Sequence, residues 1–306
     1  MRIAIAVLVI TLSCLSVLAQ GPPTLRIVTE VPNLPSELFY GDIRVKPLRL
    51  RPGTNTPITI NDADFFVHQQ YVDFLSRMPD QSGFNFWVNQ ITSCGGNAAC
   101  VDGQRVNSSG AFFLSIEFNQ TGYFVYRLHK GSFGNLPRYT TFMPDTRQVA
   151  NNVIVGQGDW QGTLAANQTA FANAWVDRTA FLALYPTTLS ATQYATNLIA
   201  TAGLTGQLDP STIVTEMGAG YPSAAARAIG LRRIIESAAF DTQEKNRAFV
   251  LMQYLGYLRR DPDAAPDNNL DGFNFWLNKL NQHSGDFHAA EMVKSFLVAG
   301  EYQARF

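Results

Sequence analysis

The pentapeptide Gly83-Phe84-Asn85-Phe86-Trp87 recurs letter for letter as Gly272-Phe273-Asn274-Phe275-Trp276. A repeated segment of this kind limits the fold more than composition does, because one supersecondary unit must then be used at least twice. The flanks repeat too. Phe66-Val67, Gln70-Tyr71, Leu75, Arg77 and Pro79-Asp80 return at a constant offset as Phe249-Val250, Gln253-Tyr254, Leu258, Arg260 and Pro262-Asp263. Apolar pairs every four residues mark one face of a helix. Asn61-Asp62-Ala63-Asp64 starts that helix, and Arg77-Met78-Pro79-Asp80 stops it. A second helix then begins near Gly83, with Asp80 or Ser82 as its N-cap. A third runs to Ser115-Ile116-Glu117-Phe118, echoed by Glu301-Tyr302.

A degenerate copy lies between. Phe171, Val176, Leu182 and Pro186 keep the first helix and its stop. Tyr194 stands for Trp87, and Ser237-Ala238-Ala239-Phe240 stands for Ser115 to Phe118. The arginine has become Leu184 and the glutamate Ala239. The chain therefore divides into helical units at 61–130, 167–241 and 242–306, with a connector at 131–166 whose Val153-Ile154-Val155 is strand-like. Residues 20–60, rich in proline and carrying Leu25-Arg26-Ile27-Val28 and Ile43-Arg44-Val45-Lys46, form a β-rich arm. The expected class is all-α: three related helical units, the middle one degenerate, behind that arm.

The address of the chain is written at its start. Met1-Arg2 followed by an apolar run to Ala19 has the form of a signal peptide, residues 1–19, cleaved before Gln20. No basic stop-transfer flank follows, so no transmembrane anchor is expected after cleavage. The destination is secreted, periplasmic or otherwise extracellular. Cys94 and Cys100, the cysteines beyond that segment, bracket Gly95-Gly96-Asn97-Ala98-Ala99; in an oxidising compartment they are expected to form a disulfide. Charged residues are only 15%, with a net charge of −1 and no block of like charge, which argues against nucleic acid as a partner. Amides take their place, with 20 Asn and 17 Gln.

The pattern Arg-x-Pro-Asp-x-x-Gly-x-x-x-Trp, followed by Ser-x-Glu-Phe, resembles the bacterial domain-of-unknown-function family numbered 4214. The resemblance covers Phe66–Gly122 and Phe249–Phe306, and more faintly Phe171–Phe240. The third copy departs from it in a longer stretch between Asp263 and Gly272 and in Ala299 for the serine. It implies a helical, exported, non-catalytic protein and brings no catalytic residues with it.

Several groups compete for a functional role. Trp87, Trp276 and their neighbouring phenylalanines read as core. Phe84 and Phe273, at the helix starts, are the members expected to face solvent and to offer a stacking surface. Asp267-Asn268-Asn269-Leu270-Asp271-Gly272 has the alternating oxygens and turn glycine of a calcium loop, with Asp267, Asn269 and Asp271 as ligands. The bidentate glutamate due at its twelfth position is Asn278, and the rival reading is a surface loop ending in a helix cap. Gly156-Gln157-Gly158 lacks the third glycine and the βαβ frame of a dinucleotide site. His283 and His288 flank Asp286 but do not share a helical face. Arg77 with Glu117, and Arg260 with Glu301, are kept together in the outer copies and lost together in the middle one. They are therefore expected to be structural pairs rather than catalytic groups.

These readings favour a non-enzymatic binding or structural module at the cell surface or in the periplasm, with polysaccharide or another envelope protein as partner and no catalytic residues. The competing class is an extracellular hydrolase acting on a polymer through carboxylates brought together between units. Two close, partly buried carboxylates in a cleft would favour the hydrolase; capped or paired carboxylates would favour the module.

Overall fold

The computed structural model describes residues 58–306, together with the backbone of three short strands before them. The expected signal peptide, and most of the arm at 20–60, lie outside the described residues. The strands β1 (Leu25–Val28), β2 (Glu37–Tyr40) and β3 (Ile43–Val45) pair antiparallel in sequence order, with Leu25 opposite Tyr40 and Leu38 opposite Val45. This segment falls in a compact unit of its own, Met1–Leu48, separate from Arg49–Phe306.

The described part from residue 58 onward is helical and contains no strand. The first unit comprises α1 (Ala63–Gln70), which continues through a π turn at Tyr71–Leu75, α2 (Gln81–Thr92) and α3 (Ala98–Leu114). The short α4 (Ile116–Gln120) leads into α5 (Gly122–Phe133). Then follow α6 (Tyr139–Val149), α7 (Trp160–Val176), α8 (Thr179–Leu184), α9 (Ala191–Thr201), α10 (Pro210–Met217) and α11 (Ala224–Ile235). The last unit has α12 (Ala238–Met252) with a π turn at Gln253–Leu258, α13 (Asp271–Gln282), α14 (Met292–Val298) and α15 (Gly300–Gln303).

The repeat is visible in backbone detail. Both first helices end in a π turn closed by a left-handed residue, Ser76 at φ 55° and Arg259 at φ 52°. In each, the amide of the following arginine points back to the carbonyl of the helix tyrosine, Arg77 to Tyr71 and Arg260 to Tyr254, both at 3.4 Å. These bonds absorb carbonyls that a helix end would otherwise leave open. Across the two units the π turns meet: Phe74 packs edge-on against its own counterpart, Tyr257, with ring centroids 5.3 Å apart.

The core runs through the whole helical body and centres on α5. Tyr123 to Tyr126 and Leu128 are buried, and α5 touches α4, α6, α9, α11 and α12. Most of α5 is buried, with Arg127, His129 and Lys130 on its less buried side, as suits a helix packed by neighbours on several faces. Three expectations change here. The segment 131–166, read as a connector, carries the end of α5, all of α6 and the start of α7. Val153-Ile154-Val155 is not a strand: Val153 is buried, but the segment turns and pairs with nothing extended. No break falls between residues 241 and 242, because α12 runs through that point and joins the middle unit to the third.

Ser115 also has a different role from the one expected. It does not end α3 but caps α4, accepting the Phe118 amide at 3.0 Å while donating to the Phe112 carbonyl at 2.8 Å. Ser237 does the same for α12, toward Phe240 and Ile234. Ala299 holds the equivalent extended backbone without a side-chain cap. Serine is favoured there because its short hydroxyl reaches an open amide in the first turn.

Candidate functional site

The repeated motif resolves into a structural clip. Arg77 reaches Glu117 with two parallel bonds, Nε to Oε1 at 2.5 Å and Nη2 to Oε2 at 2.8 Å. Arg260 reaches Glu301 in the same way, at 2.6 and 3.1 Å. Two parallel charge-assisted bonds fix orientation as well as distance. Each arginine also lies over the tyrosine six residues earlier, Arg77 over Tyr71 and Arg260 over Tyr254, at 4.9 and 5.4 Å from the ring centres. Burial lowers the pKa of the Arg77 guanidinium, but the hydrogen bond and charge of Glu117 more than offset it.

The motif's aspartate and glycine serve the same clip. Asp80 caps α2 by accepting the Gly83 amide at 2.9 Å, and it lies 3.4 Å from Arg77. Ser82 is not the cap; its hydroxyl donates to Asp80. In the third unit the counterpart is not Asp263, as the alignment suggests, but Asp267, which accepts from Arg260 at 2.9 Å. Burial, with Asp80 or Asp267 beside the ring, pushes the hydroxyls of Tyr71 and Tyr254 up to about 12. The glycine makes room for that tyrosine: a Cβ on Gly272 would stand 2.8 Å from the Tyr254 hydroxyl, and one on Gly83 would be closer still to Tyr71.

Asp267 therefore points at Arg260. Asn269 Oδ1 accepts the Asp271 amide at 2.8 Å, and Asp271 is the first residue of α13. The loop is thus a helix entry that uses two of the three expected calcium ligands internally. Among the described residues, no group of three or more His, Cys, Asp or Glu side chains is placed to hold a metal. Asp286 accepts the amides of His288 and Ala289, while His288 leans on Phe287. Cys94 and Cys100 form a disulfide with Cα atoms 5.6 Å apart, between α2 and α3.

The exposed aromatics are not those expected. Phe273 is 1% exposed and Phe84 is half-buried, whereas Phe86 and Phe275 are 54% and 57% exposed. The helical phase explains it. Phe84, Trp87, Val88 and Ile91 form an i, i+3, i+4, i+7 stripe, as do Phe273, Trp276, Leu277 and Leu280, and these stripes face the core. Phe86 and Phe275 fall off the stripe and rest edge-on against Trp87 and Trp276, at 4.9 and 5.0 Å. Around them the exposed faces carry amides: Gln81, Asn85 and Asn89 on α2, and Asn274, Asn278 and Asn281 on α13.

The buried carboxylates are closed by partners. Asp73, in the π turn of the first unit, takes a bidentate Arg305 at 3.0 and 3.1 Å and Arg259 at 3.1 Å, all from or beside the third unit's end. Glu244 accepts the Tyr126 hydroxyl at 2.7 Å and lies 3.3 Å from Arg247. Sequence reasoning missed both, because neither is repeated.

It also missed a cleft of about 310 Å³ where the α5–α6 loop meets α12 and the loop before α13. Lys130, Arg138 and Arg247 line it against one carboxylate, Asp263. Arg138 is ion-paired to Asp263 and Asp261. The longer Asp263–Gly272 stretch of the third copy is the sequence signal for this cleft, since Asp263 and Leu270 stand in its wall.

No helix among the described residues is long and apolar enough to cross a membrane. Comparison with protein-family models, curated proteins and solved structures gave no match.

Proposed function

We propose that this chain is an exported, non-enzymatic binding module of the bacterial envelope whose partner is a polysaccharide. The observation that carries the reading is the pair of equivalent faces on α2 and α13, each an exposed phenylalanine set among amides and almost free of charge. Aromatic rings stack on the C–H faces of sugars, and amides both donate to and accept from hydroxyls. Using the same face twice along one body suits a polymer with a repeating unit, since two weak contacts act as one stronger contact when the spacing fits.

The arginine-closed carboxylates Asp73 and Glu117 support a structural rather than acid–base use of these groups. The disulfide supports an oxidising compartment, and with it the signal peptide at 1–19 and the resemblance to the 4214 family of exported proteins. A β-rich arm would precede the helical body.

The test is retention of the exported protein on polysaccharide purified from the native envelope, compared with envelope protein and with a blank matrix. Wild type should be retained on the polysaccharide. Phe86→Ala with Phe275→Ala should elute early at unchanged melting temperature. Equal retention of the double variant would remove this reading, and release of shortened glycan would move the chain to the hydrolases.

A further inference from the structure

The loop between Asp263 and Gly272 is longer than its counterpart in the first unit, and it walls the cationic cleft. We propose that this cleft binds a carboxylate-bearing sugar residue, which makes the partner an acidic polysaccharide; the inference rests on the polysaccharide reading above and narrows it.

Charge is the first argument. Lys130, Arg138 and Arg247 line the cleft with Asp263, while Asp261 and Glu244 stand behind it as further partners of Arg138 and Arg247, so Lys130 is the cation whose charge is left to the cleft. The cations are not equally available. Arg138 is taken up by Asp261 and Asp263. Lys130 uses one of its three N–H groups on the Gly134 carbonyl, at 2.5 Å. Arg247 lines the cleft, with its Nε 3.3 Å from Glu244 but in no hydrogen bond. A free guanidinium fork takes a carboxylate through two parallel bonds, and an ammonium adds a point charge beside it.

The remaining wall suits a sugar ring better than a bare anion. Asn135 and Asn274 provide amide donors and acceptors for hydroxyls, while the exposed Leu270 supplies apolar surface. The volume lies at the small end of the range for ligand sites and suits one ring rather than a folded chain. A neutral sugar would leave the half-buried Lys130 ammonium without a carboxylate in contact, whereas Arg247 already has Glu244.

Calorimetric titration of the full chain with tri-galacturonate, maltotriose and inorganic phosphate, at low and high salt, tests this. Tri-galacturonate should bind, and more weakly as salt rises. Lys130→Gln and Arg247→Gln should each weaken it about tenfold, the loss of one charge-assisted contact. Because Arg247→Gln also changes the surroundings of Glu244, Lys130→Gln and Asn274→Ala serve as second variants, each checked for an unchanged melting temperature. Maltotriose binding as tightly as tri-galacturonate would overturn the acidic assignment and leave the polysaccharide reading in place. Phosphate binding as tightly would overturn the sugar assignment. Unchanged affinity in Lys130→Gln and Arg247→Gln, or no trisaccharide binding at all, would overturn the site, and envelope retention alone would then decide the broader reading.

Discussion

The Arg77–Glu117 clip allows a quantitative test, because its copy in the third unit is an internal control. The Glu117 side chain is 5% exposed and Arg77 16%, whereas Glu301 is 37% exposed against 14% for Arg260. The geometry is alike in both, so the difference in solvent access should set the difference in energy. A pair some 4 Å apart is worth about 4 kcal/mol at an effective dielectric of 20 and about 1 kcal/mol in water. Removing Arg77 as Arg77→Met strands a buried carboxylate, which costs about 3–5 kcal/mol. Removing the charge as Glu117→Gln should cost less, about 1–2 kcal/mol. Arg77 still has the Met78 carbonyl at 3.0 Å and Asp80 at 3.4 Å. The double variant should cost less than the two singles together, with a coupling of about 2–3 kcal/mol. The same cycle on Arg260 and Glu301 should give about 1 kcal/mol or less. Urea is the denaturant of choice, since guanidinium would screen the charges under test. Midpoints should shift at constant m-value. A coupling below about 0.5 kcal/mol at Arg77–Glu117, or a larger one at the more exposed pair, would refute the idea that burial sets the strength of the clip.

Three further outcomes follow from local geometry. Burial between Phe133 and Trp175 pushes the pKa of His129 down from its usual 6.5 to about 4. The unfolded chain therefore binds this proton before the folded one does. Stability should fall as pH drops from about 6.5 to 4 and level off below, by on the order of 3 kcal/mol, and His129→Gln should flatten that window in urea titrations. Ser76 holds a left-handed backbone, and its buried hydroxyl has no partner. Ser76→Gly should accordingly raise stability by about 0.5–1 kcal/mol, and a lower melting temperature would count against this account of the helix end. Cys94→Ala with Cys100→Ala should cost about 2 kcal/mol, the loop-entropy value for a short loop, and thiol labelling of the unreduced wild type should find neither cysteine.

What could be read from the sequence was what the chain writes twice. Helix starts, the proline stop, the Arg–Glu clip and the inward tryptophans all recur, and a recurring contact within one unit leaves a pattern in the letters. The exposed phenylalanines could also have been read, since counting i, i+3, i+4, i+7 from Trp87 puts Phe84 inside and Phe86 outside. Contacts between units leave no such trace. Asp73 pairs with Arg305, but its counterpart position in the third unit is Gly256, because that site lies against Asp73 itself. The two outer units meet there face to face, and the symmetry that repeats their interiors forces different residues where they touch. The cleft has a related origin: Asp263 repeats Asp80, but Lys130 and the longer loop after Asp263 have no counterpart in the other outer unit.

The middle unit shows what the loss of the clip means physically. Leu184, in the arginine's place, is 52% exposed, so it is not an apolar replacement inside a core. The tie between first and third helices has instead been rebuilt with its charges exchanged. Arg227 on α11 is buried and donates to Asp177, just past the end of α7, at 2.5 Å, and to the Val176 carbonyl at 2.8 Å. Tyr194, in the place of Trp87, donates to the Arg227 carbonyl at 2.8 Å. In the outer units the cation closes the first helix and the anion opens the element after the third. In the middle unit the third helix carries the cation and the end of the first carries the anion. A charged tie between first and third helices is therefore common to all three units, but its place is not: Arg227 stands near the start of α11, whereas Glu117 and Glu301 follow the far end of the third helix, so the middle unit holds the same two helices at a different point.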